Sequence, residues 1–393
     1  MPRSSDSDDT PGAERPAADR CPGVLRLIEA ADGHLARVRL PGGLVTAAQL
    51  RTLARLAGDL GDGRAELTSR GNVQLRALPT DAAARLTAEL AAAGLLPSLD
   101  HDRVRNVLAS PLAGLDGGTD LAPFITSLDT ALCSRPRLAG LSGRFLFAID
   151  DGHGDVAGLG ADVLATVRRD TAVVNGLAVS GDNRASRASR VSPDDVVPVM
   201  LACAEAFLDR RAELGSTAWR IADLPGGVER VRDAVADRLG LAAAPRDAPE
   251  HSPARPVGVI SGDSMVLLAP LGRLTAAQLT WLAGQLTGRP ARITPWRSVV
   301  LPGLADAPGT LRAAAGLGFG TDDRSPWLRV TACAGRPGCA SALADVQADA
   351  AGFAARWPGR IVHVSGCARH CGRPAATEID VTATSEGYEI AGV

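Results

Sequence analysis

The sequence has no lysine. All 42 of the Lys+Arg positions in its 393 residues are arginine. Schiff-base and lysine-base chemistry are thereby excluded. Every permanent cation is a guanidinium, a rigid fork that binds carboxylates through two parallel hydrogen bonds. Aromatic residues make up only 3%, which speaks against base-stacking platforms. No run of about 18 apolar residues occurs, so nothing in the sequence reads as a transmembrane helix. A net charge of -2 and a pI near 6.3 argue against a partner held by a general basic field, such as nucleic acid or a membrane surface. Residues 1–20 are polar and proline-rich without an apolar core. They read as a disordered tail, not a signal peptide, and place the chain in the cytoplasm.

The sequence does hold a repeat. Gly43-Leu-Val-Thr-Ala-Ala-Gln-Leu50 is echoed by Gly272-Arg-Leu-Thr-Ala-Ala-Gln-Leu279. Each follows an apolar stretch and opens a helical pattern, with Thr46 and Thr275 as N-caps. Further on, Ala65-Glu-Leu-Thr-Ser-Arg-Gly-Asn-Val-Gln-Leu75 matches Ala291-Arg-Ile-Thr-Pro-Trp-Arg-Ser-Val-Val-Leu301. The segment from Val104 to Gly114 parallels Leu328 to Cys333, and Gly143–Ile149 parallels Gly359–Ser365. The expectation is an α+β chain in which a small and a larger α/β module occur twice. Chance similarity in an Ala- and Leu-rich chain is the alternative. The boundaries expected are a tail at 1–20, small modules at 21–97 and 257–312, larger modules at 98–241 and 313–393, and a proline-rich linker at 242–256.

Four of the seven cysteines, Cys333, Cys339, Cys367 and Cys371, fall in the larger module of the second half as C-x5-C-x27-C-x3-C. Without a sign of export, clustered thiols point to metal rather than disulfides. Structural zinc favours tighter C-x2-4-C knuckles. The wider gaps suit thiolates that each reach a different iron of a cube-shaped cluster. Zinc remains the alternative. Cys339 is expected to open a helix with Leu343, Val346, Ala350, Phe353 and Trp357 on one face. Cys203 lies in an apolar helical pattern and reads as core, while Cys21 and Cys133 stay unassigned.

These pairs, with the duplication, resemble the nitrite/sulfite reductase superfamily, in which C-x5-C and C-x3-C hold a [4Fe-4S] cluster. The resemblance runs from about Cys21 to the C-terminus. It implies an internally duplicated fold of two ferredoxin-like half-domains and two larger α/β modules. It also implies cluster ligation by Cys333, Cys339, Cys367 and Cys371. Thr68-Ser-Arg-Gly-Asn-Val-Gln-Leu75 and Val104-Arg-Asn106 resemble stretches whose arginines contact a tetrapyrrole. Gly143-Arg-Phe-Leu-Phe-Ala-Ile-Asp-Asp151 resembles a strand carrying two basic residues over the substrate, here Arg144 and, departing from the pattern, Leu146 as an apolar wall.

Cys21-Pro-Gly-Val-Leu-Arg26, Arg37-Val-Arg-Leu-Pro-Gly-Gly43, Trp296-Arg-Ser-Val-Val-Leu-Pro302 and Val364-Ser-Gly-Cys-Ala-Arg-His-Cys-Gly372 are similar to the precorrin-3B synthase family. That likeness implies an O2-dependent monooxygenase that hydroxylates precorrin-3A and closes a γ-lactone in aerobic cobalamin synthesis. Arg144 would be catalytic, and Arg70, Asn72, Gln74, Arg105, Arg297 and Arg369 would bind the acidic macrocycle, with Arg76 beside them. His363 faces the core or the iron, and His370 sits beside the cluster. Whether sirohaem or a second iron accompanies the cluster stays open. A short sirohaem-dependent sulfite or nitrite reductase and a zinc-stabilised binding protein are the rival expectations. Gly158-Leu-Gly160 lacks the third glycine of a dinucleotide fingerprint, so a separate ferredoxin or reductase is the expected electron donor.

Overall fold

A computed structural model describes Asp19 and residues 21–115, 117–179, 191–244 and 256–392. Apart from Asp19, the tail read at 1–20 lies outside the described residues, as does linker 242–256 between 245 and 255. Asp19 is tied down, its Oδ2 accepting the Gly143 amide at 2.6 Å and pairing with Arg103 at 3.1 Å.

The first small module comprises β1 (Ile28–Ala30), β2 (Gly33–Val38), β3 (Leu44–Val45), α1 (Ala47–Leu60), β4 (Arg64–Leu67), β5 (Val73–Leu78) and α2 (Ala82–Ala92). The first larger module follows with β6 (Val107–Ala109), α3 (Ala122–Cys133), β7 (Phe147–Asp150), β8 (Val163–Val167), β9 (Ala172–Val174), β10 (Leu177–Val179), α4 (Pro193–Glu213) and α5 (Gly227–Leu239). The second half runs β11 (Gly258–Ser261), β12 (Ser264–Leu268), β13 (Arg273–Thr275), α6 (Ala276–Gln285), β14 (Ala291–Ile293), β15 (Ser298–Leu301) and α7 (Ala307–Gly316). It ends with β16 (Val330–Ala332), α8 (Val346–Arg356), β17 (Val362–Ser365), β18 (Ile379–Thr384) and β19 (Gly387–Ala391).

Thr46 and Thr275 cap α1 and α6 as reciprocal boxes. Each side chain accepts the amide of Gln49 or Gln278, and each glutamine accepts the threonine amide in return. The two small modules do not close separately. They exchange an edge strand, giving sheets β1-β2-β5-β4-β13 and β11-β12-β15-β14-β3. Arg273 thereby pairs with Glu66, and Arg292 with Leu44. Helices α1 and α6 pack together, and one apolar core runs through both copies.

The larger modules share a plan. In the first, β6, β7 and β8 are parallel and β9 and β10 antiparallel; in the second, β16, β17 and β18 are parallel and β19 antiparallel. The first buries its sheet under α3, α4 and α5, with Cys203 fully inside, as its apolar pattern indicates. Burial pushes that thiol up to about 12. The second has only α8 over a thin core. Helix α8 starts at Val346, capped by Asp345, whose side chain accepts the Ala348 amide at 3.1 Å. The helix expected from Cys339 therefore begins seven residues later. The stretch after Cys339 turns back against the Cys367 loop instead, with the Leu343 amide donating to the Gly366 carbonyl. Leu343 is exposed rather than on the buried face.

Candidate functional site

Cys333 follows β16 directly, and its amide donates to the Val364 carbonyl at 3.0 Å. Cys367 and Cys371 bracket the turn after β17, where the His370 amide reaches the Cys367 carbonyl at 3.3 Å. The Gly366 amide donates to the Cys333 sulfur at 3.1 Å, the kind of contact that tunes a metal-bound thiolate. A side chain at Gly366 would press on Ala342 and that same sulfur. Burial first, and then the nearby Cys333, Cys367 and Cys339, push the Cys371 thiol up, so the four thiols share one electrostatic neighbourhood.

A tetrahedral metal with bonds of about 2.3 Å brings its sulfurs to within about 3.8 Å of each other. Among the described residues no three cysteine sulfurs lie within 4.8 Å of one another. The four thiols are therefore not gathered at the short separations that one tetrahedral metal requires.

Cys333 and Cys371 also line a cleft of about 480 Å³ with Glu66, Gln74, Arg76, Arg144, Arg273, Arg297 and Gln347. Four guanidiniums beside two thiols give the cleft a lining whose forks can take carboxylates through paired hydrogen bonds. Arg144 stacks 5.0 Å above the Trp219 ring. Arg76 grips Asp32 through two bonds of 3.1 Å and donates to the Gly338 carbonyl at 2.9 Å, next to Cys339. Gln74 accepts from Arg37 and donates to Glu66 at 2.9 Å. Burial raises the Glu66 carboxyl, against the pull of Arg76 and Arg273.

Arg297 shows how the cleft was made from the repeat. In the first copy the Thr68 amide bonds the Asn72 carbonyl across a turn with Gly71 at φ +65°. In the second, Thr294 bonds Ser298 across the same turn, and Arg297 takes the left-handed place at φ +61°. A side chain there costs about 1–2 kcal/mol, and strain of this kind gathers at functional sites. Burial lowers the pKa of the Arg297 guanidinium. Its side chain lies over Gly272, where a Cβ would stand 2.6 Å from the Arg297 Cδ.

The other residues singled out in the sequence sit elsewhere. Arg105 is 3% exposed, doubly bonded to Asp129 at 2.7 Å and donating to the Leu95 carbonyl, so its fork is committed inside the first larger module. Asn72 is buried, accepting the Leu40 amide and donating to Asn106, where it pins a loop. Arg70 reaches the Gly143 carbonyl at 3.2 Å. Arg369 is exposed on the turn between Cys367 and Cys371. None of these four lines the cleft.

Leu146 is not a wall of the cleft. It is 2% exposed in a cluster with Leu108, Ala148 and Val156. A turn closed by the Phe145 amide on the Ser142 carbonyl breaks the strand alternation, so Arg144 points out and Leu146 in. His363 is fully buried beside Thr331, its Nδ1 at 2.8 Å from the hydroxyl, while Nε2 lacks a hydrogen bond; burial lowers its pKa to about 4. His370 takes φ +48° and pairs with Asp380 at 3.2 Å.

Sequence reasoning passed over Glu66, Arg273 and Gln347. The only signal was Arg273 itself, the one charged residue inside the repeated Gly-x-x-Thr-Ala-Ala-Gln-Leu phrase. It also passed over Arg39, 2% exposed, whose Nη1 has no hydrogen-bond partner and whose pKa burial lowers to about 9.

The chain is similar to several known proteins. Residues 28–93 match the nitrite/sulfite reductase ferredoxin-like half domain. The chain is 29% identical to a precorrin-3B synthase from Sinorhizobium sp over 394 residues, covering 94% of this chain and 81% of that one. It is 27% identical to a ferredoxin–nitrite reductase from Synechococcus elongatus, over 91% of this chain and 78% of the other. The NirA protein of Mycobacterium tuberculosis superimposes with a TM-score of 0.68 at 21% identity, over 91% of this chain and 73% of NirA, a likeness of fold.

Proposed function

We propose that the chain, which carries a nitrite/sulfite reductase ferredoxin-like half domain and is similar to members of that superfamily along most of its length, is an oxidoreductase of the precorrin-3B synthase type. The observation that carries this reading is that Cys333 and Cys371 open onto the same cleft as Arg76, Arg144, Arg273 and Arg297. A tetrapyrrole with many carboxylates suits such a lining, because guanidinium forks take carboxylates with two bonds each. The four thiols would hold a [4Fe-4S] cluster, which supplies single electrons when bound. A separate ferredoxin or reductase is the proposed source of those electrons, as the names of several relatives suggest.

In the proposed reaction one oxygen atom of O2 enters precorrin-3A as a hydroxyl, and a ring acetate closes a γ-lactone. The other oxygen leaves as water, with two electrons and two protons consumed. Arg297 and Arg273 would hold carboxylates at the inner wall. Arg144, kept over Trp219 and free of a strong acid partner among its described contacts, would face the reacting edge.

The test is in two parts. Anaerobically purified protein should contain iron and acid-labile sulfide in equal amounts, and Cys371→Ser should lose both while Cys203→Ser keeps them. Given precorrin-3A, an electron source and labelled O2, mass spectrometry should find one labelled oxygen in a lactone product. Reduction of nitrite or sulfite without oxidation of the macrocycle would replace this reading by the reductase one, which nitrite and sulfite reductase relatives support.

A further inference from the structure

Arg273 stands where three parts of the molecule meet. It is carried on the exchanged strand β13, directly opposite Glu66 on β4. Its Nη2 donates to Asp62 at 2.8 Å, in the loop before β4. Its Nη1 donates to the Gln347 side-chain carbonyl, in the first turn of α8. Its Nε lies 3.6 Å from Glu66 Oε1, too long for a hydrogen bond, and is buried with no hydrogen-bond partner. Gln347 in turn donates from Nε2 to the Cys333 carbonyl at 3.1 Å. Arg273, Gln347 and Cys333 all line the one cleft.

Two side chains therefore connect an unsatisfied donor at the cleft wall to the backbone of a thiol ligand. We infer that Arg273 and Gln347 couple occupancy of the cleft to the redox state of the cluster-binding loop, so that an anionic ligand and an added electron oppose one another. This rests on the function proposed above.

The sign follows from charge. With the cleft empty, the guanidinium and the dipole of Gln347 place positive potential on the Cys333 loop and favour the reduced, more negative cluster. A ligand carboxylate on Arg273 Nε cancels part of that potential and makes reduction harder. Linkage requires the reverse as well: the oxidised protein binds the anion more tightly, by the same factor. For charges this close at a partly screened wall, about five- to tenfold is expected. In turnover the coupling would release an acidic product once electrons return to the cluster. Gln347 acts here as a positioning residue.

The measurement is an anaerobic titration of sirohydrochlorin, a metal-free tetrapyrrole octacarboxylate, into oxidised and chemically reduced protein. Affinity is followed by fluorescence and the cluster by electron paramagnetic resonance. The parent should bind the probe about five- to tenfold more tightly when oxidised, and its midpoint potential should fall on binding. Gln347→Leu and Gln347→Met should bring the two affinities together. Arg273→Gln should do the same and weaken binding in both states. Iron and sulfide content checks that each variant is loaded. Equal affinity in the two states of the parent overturns the inference, as does a ratio kept in a loaded Gln347 variant. Failure of oxidised parent to bind the macrocycle at all would instead overturn the proposed function, and this inference with it.

Discussion

The two larger modules place the same strand ends in space and finish them with opposite chemistry. In the second, the residue after β16 is Cys333, and the loop after β17 brings Cys367 and Cys371. In the first, the residue after β6 is Ser110, and the loop after β7 brings Asp151 and Asp155. There the loop closes on its own hydrogen bonds. Ser110 donates to Asp155 at 2.5 Å, while Asp150 accepts four backbone amides, from Gly152, Gly154, Val156 and Ala157. Its sheet is also sealed by three helices around the Phe145–Phe147–Phe207 aromatic group. The second module has one helix, a small core and four thiols, of which the Cys333 sulfur accepts the Gly366 amide. A loop can thus be ordered by protein or by metal. The first copy closes its loop with carboxylate hydrogen bonds and hydrocarbon, whereas the second sets four thiols there over a thinner core.

If the four thiols hold the proposed cluster, removing it is the most severe test of this contrast. Chelation or oxidative loss should raise amide exchange in β16, β17 and β18 on the order of a thousandfold, since binding energy at such sites is folding energy. Exchange in β6, β7 and β8 should stay slow. Exchange measured by mass spectrometry on the same sample reports both modules, and equal loss of protection would show that the halves do not differ in this way.

A milder probe is pH. Burial, assisted by Asp150 and Asp151, raises the Asp155 carboxyl from 3.8 to about 6. The folded protein therefore keeps a proton that the unfolded chain gives up earlier. That contribution is complete below about pH 3.8 and is lost as pH rises through about 6, a change of about 3 kcal/mol. Asp155→Asn, which can still accept from Ser110, should remove it. The difference in denaturant stability between variant and parent should grow in favour of the variant from pH 4 to 7. A constant difference would refute the account.

The smallest effect is expected where the two small modules differ. Arg297→Gly restores the residue type that the first copy has at the matching turn, Gly71. The fold should gain about 1 kcal/mol as left-handed strain is relieved. Affinity for the acidic macrocycle should fall by about 1.5–3 kcal/mol with the lost charged hydrogen bonds. Thermal melting and anaerobic titration separate the two. A variant that is less stable, or one that binds the macrocycle unchanged, would show that Arg297 serves the turn rather than the cleft.

Much was legible because its causes are local or periodic. The Thr46 and Thr275 boxes need only residues three apart, and the repeated phrase survives as sequence because each copy must fold the same turn. The spacing of the four thiols carried the metal reading, and the fold brings the loops after β16 and β17 side by side. Arginines were harder. A sequence marks them as cations but says nothing of which neighbour satisfies the fork. Arg105 meets Asp129 from α3 and is used up inside a core, while Arg273, unremarked in sequence, faces the cleft because its strand was traded into the other copy's sheet. Leu146 was misread for a related reason: one turn at Ser142–Phe145 shifts the facing of the residues after it.

Residue identity and short spacing were enough for the duplication, the Thr46 and Thr275 helix starts and the absence of lysine chemistry, all of which can be read along the chain. Which guanidiniums line the cleft with the thiols could be known only from the folded molecule. That outcome rests on strand exchange between β4 and β13 and on ion pairs between residues far apart in the chain, where long-range packing and desolvation, not local pattern, determine where each charge ends.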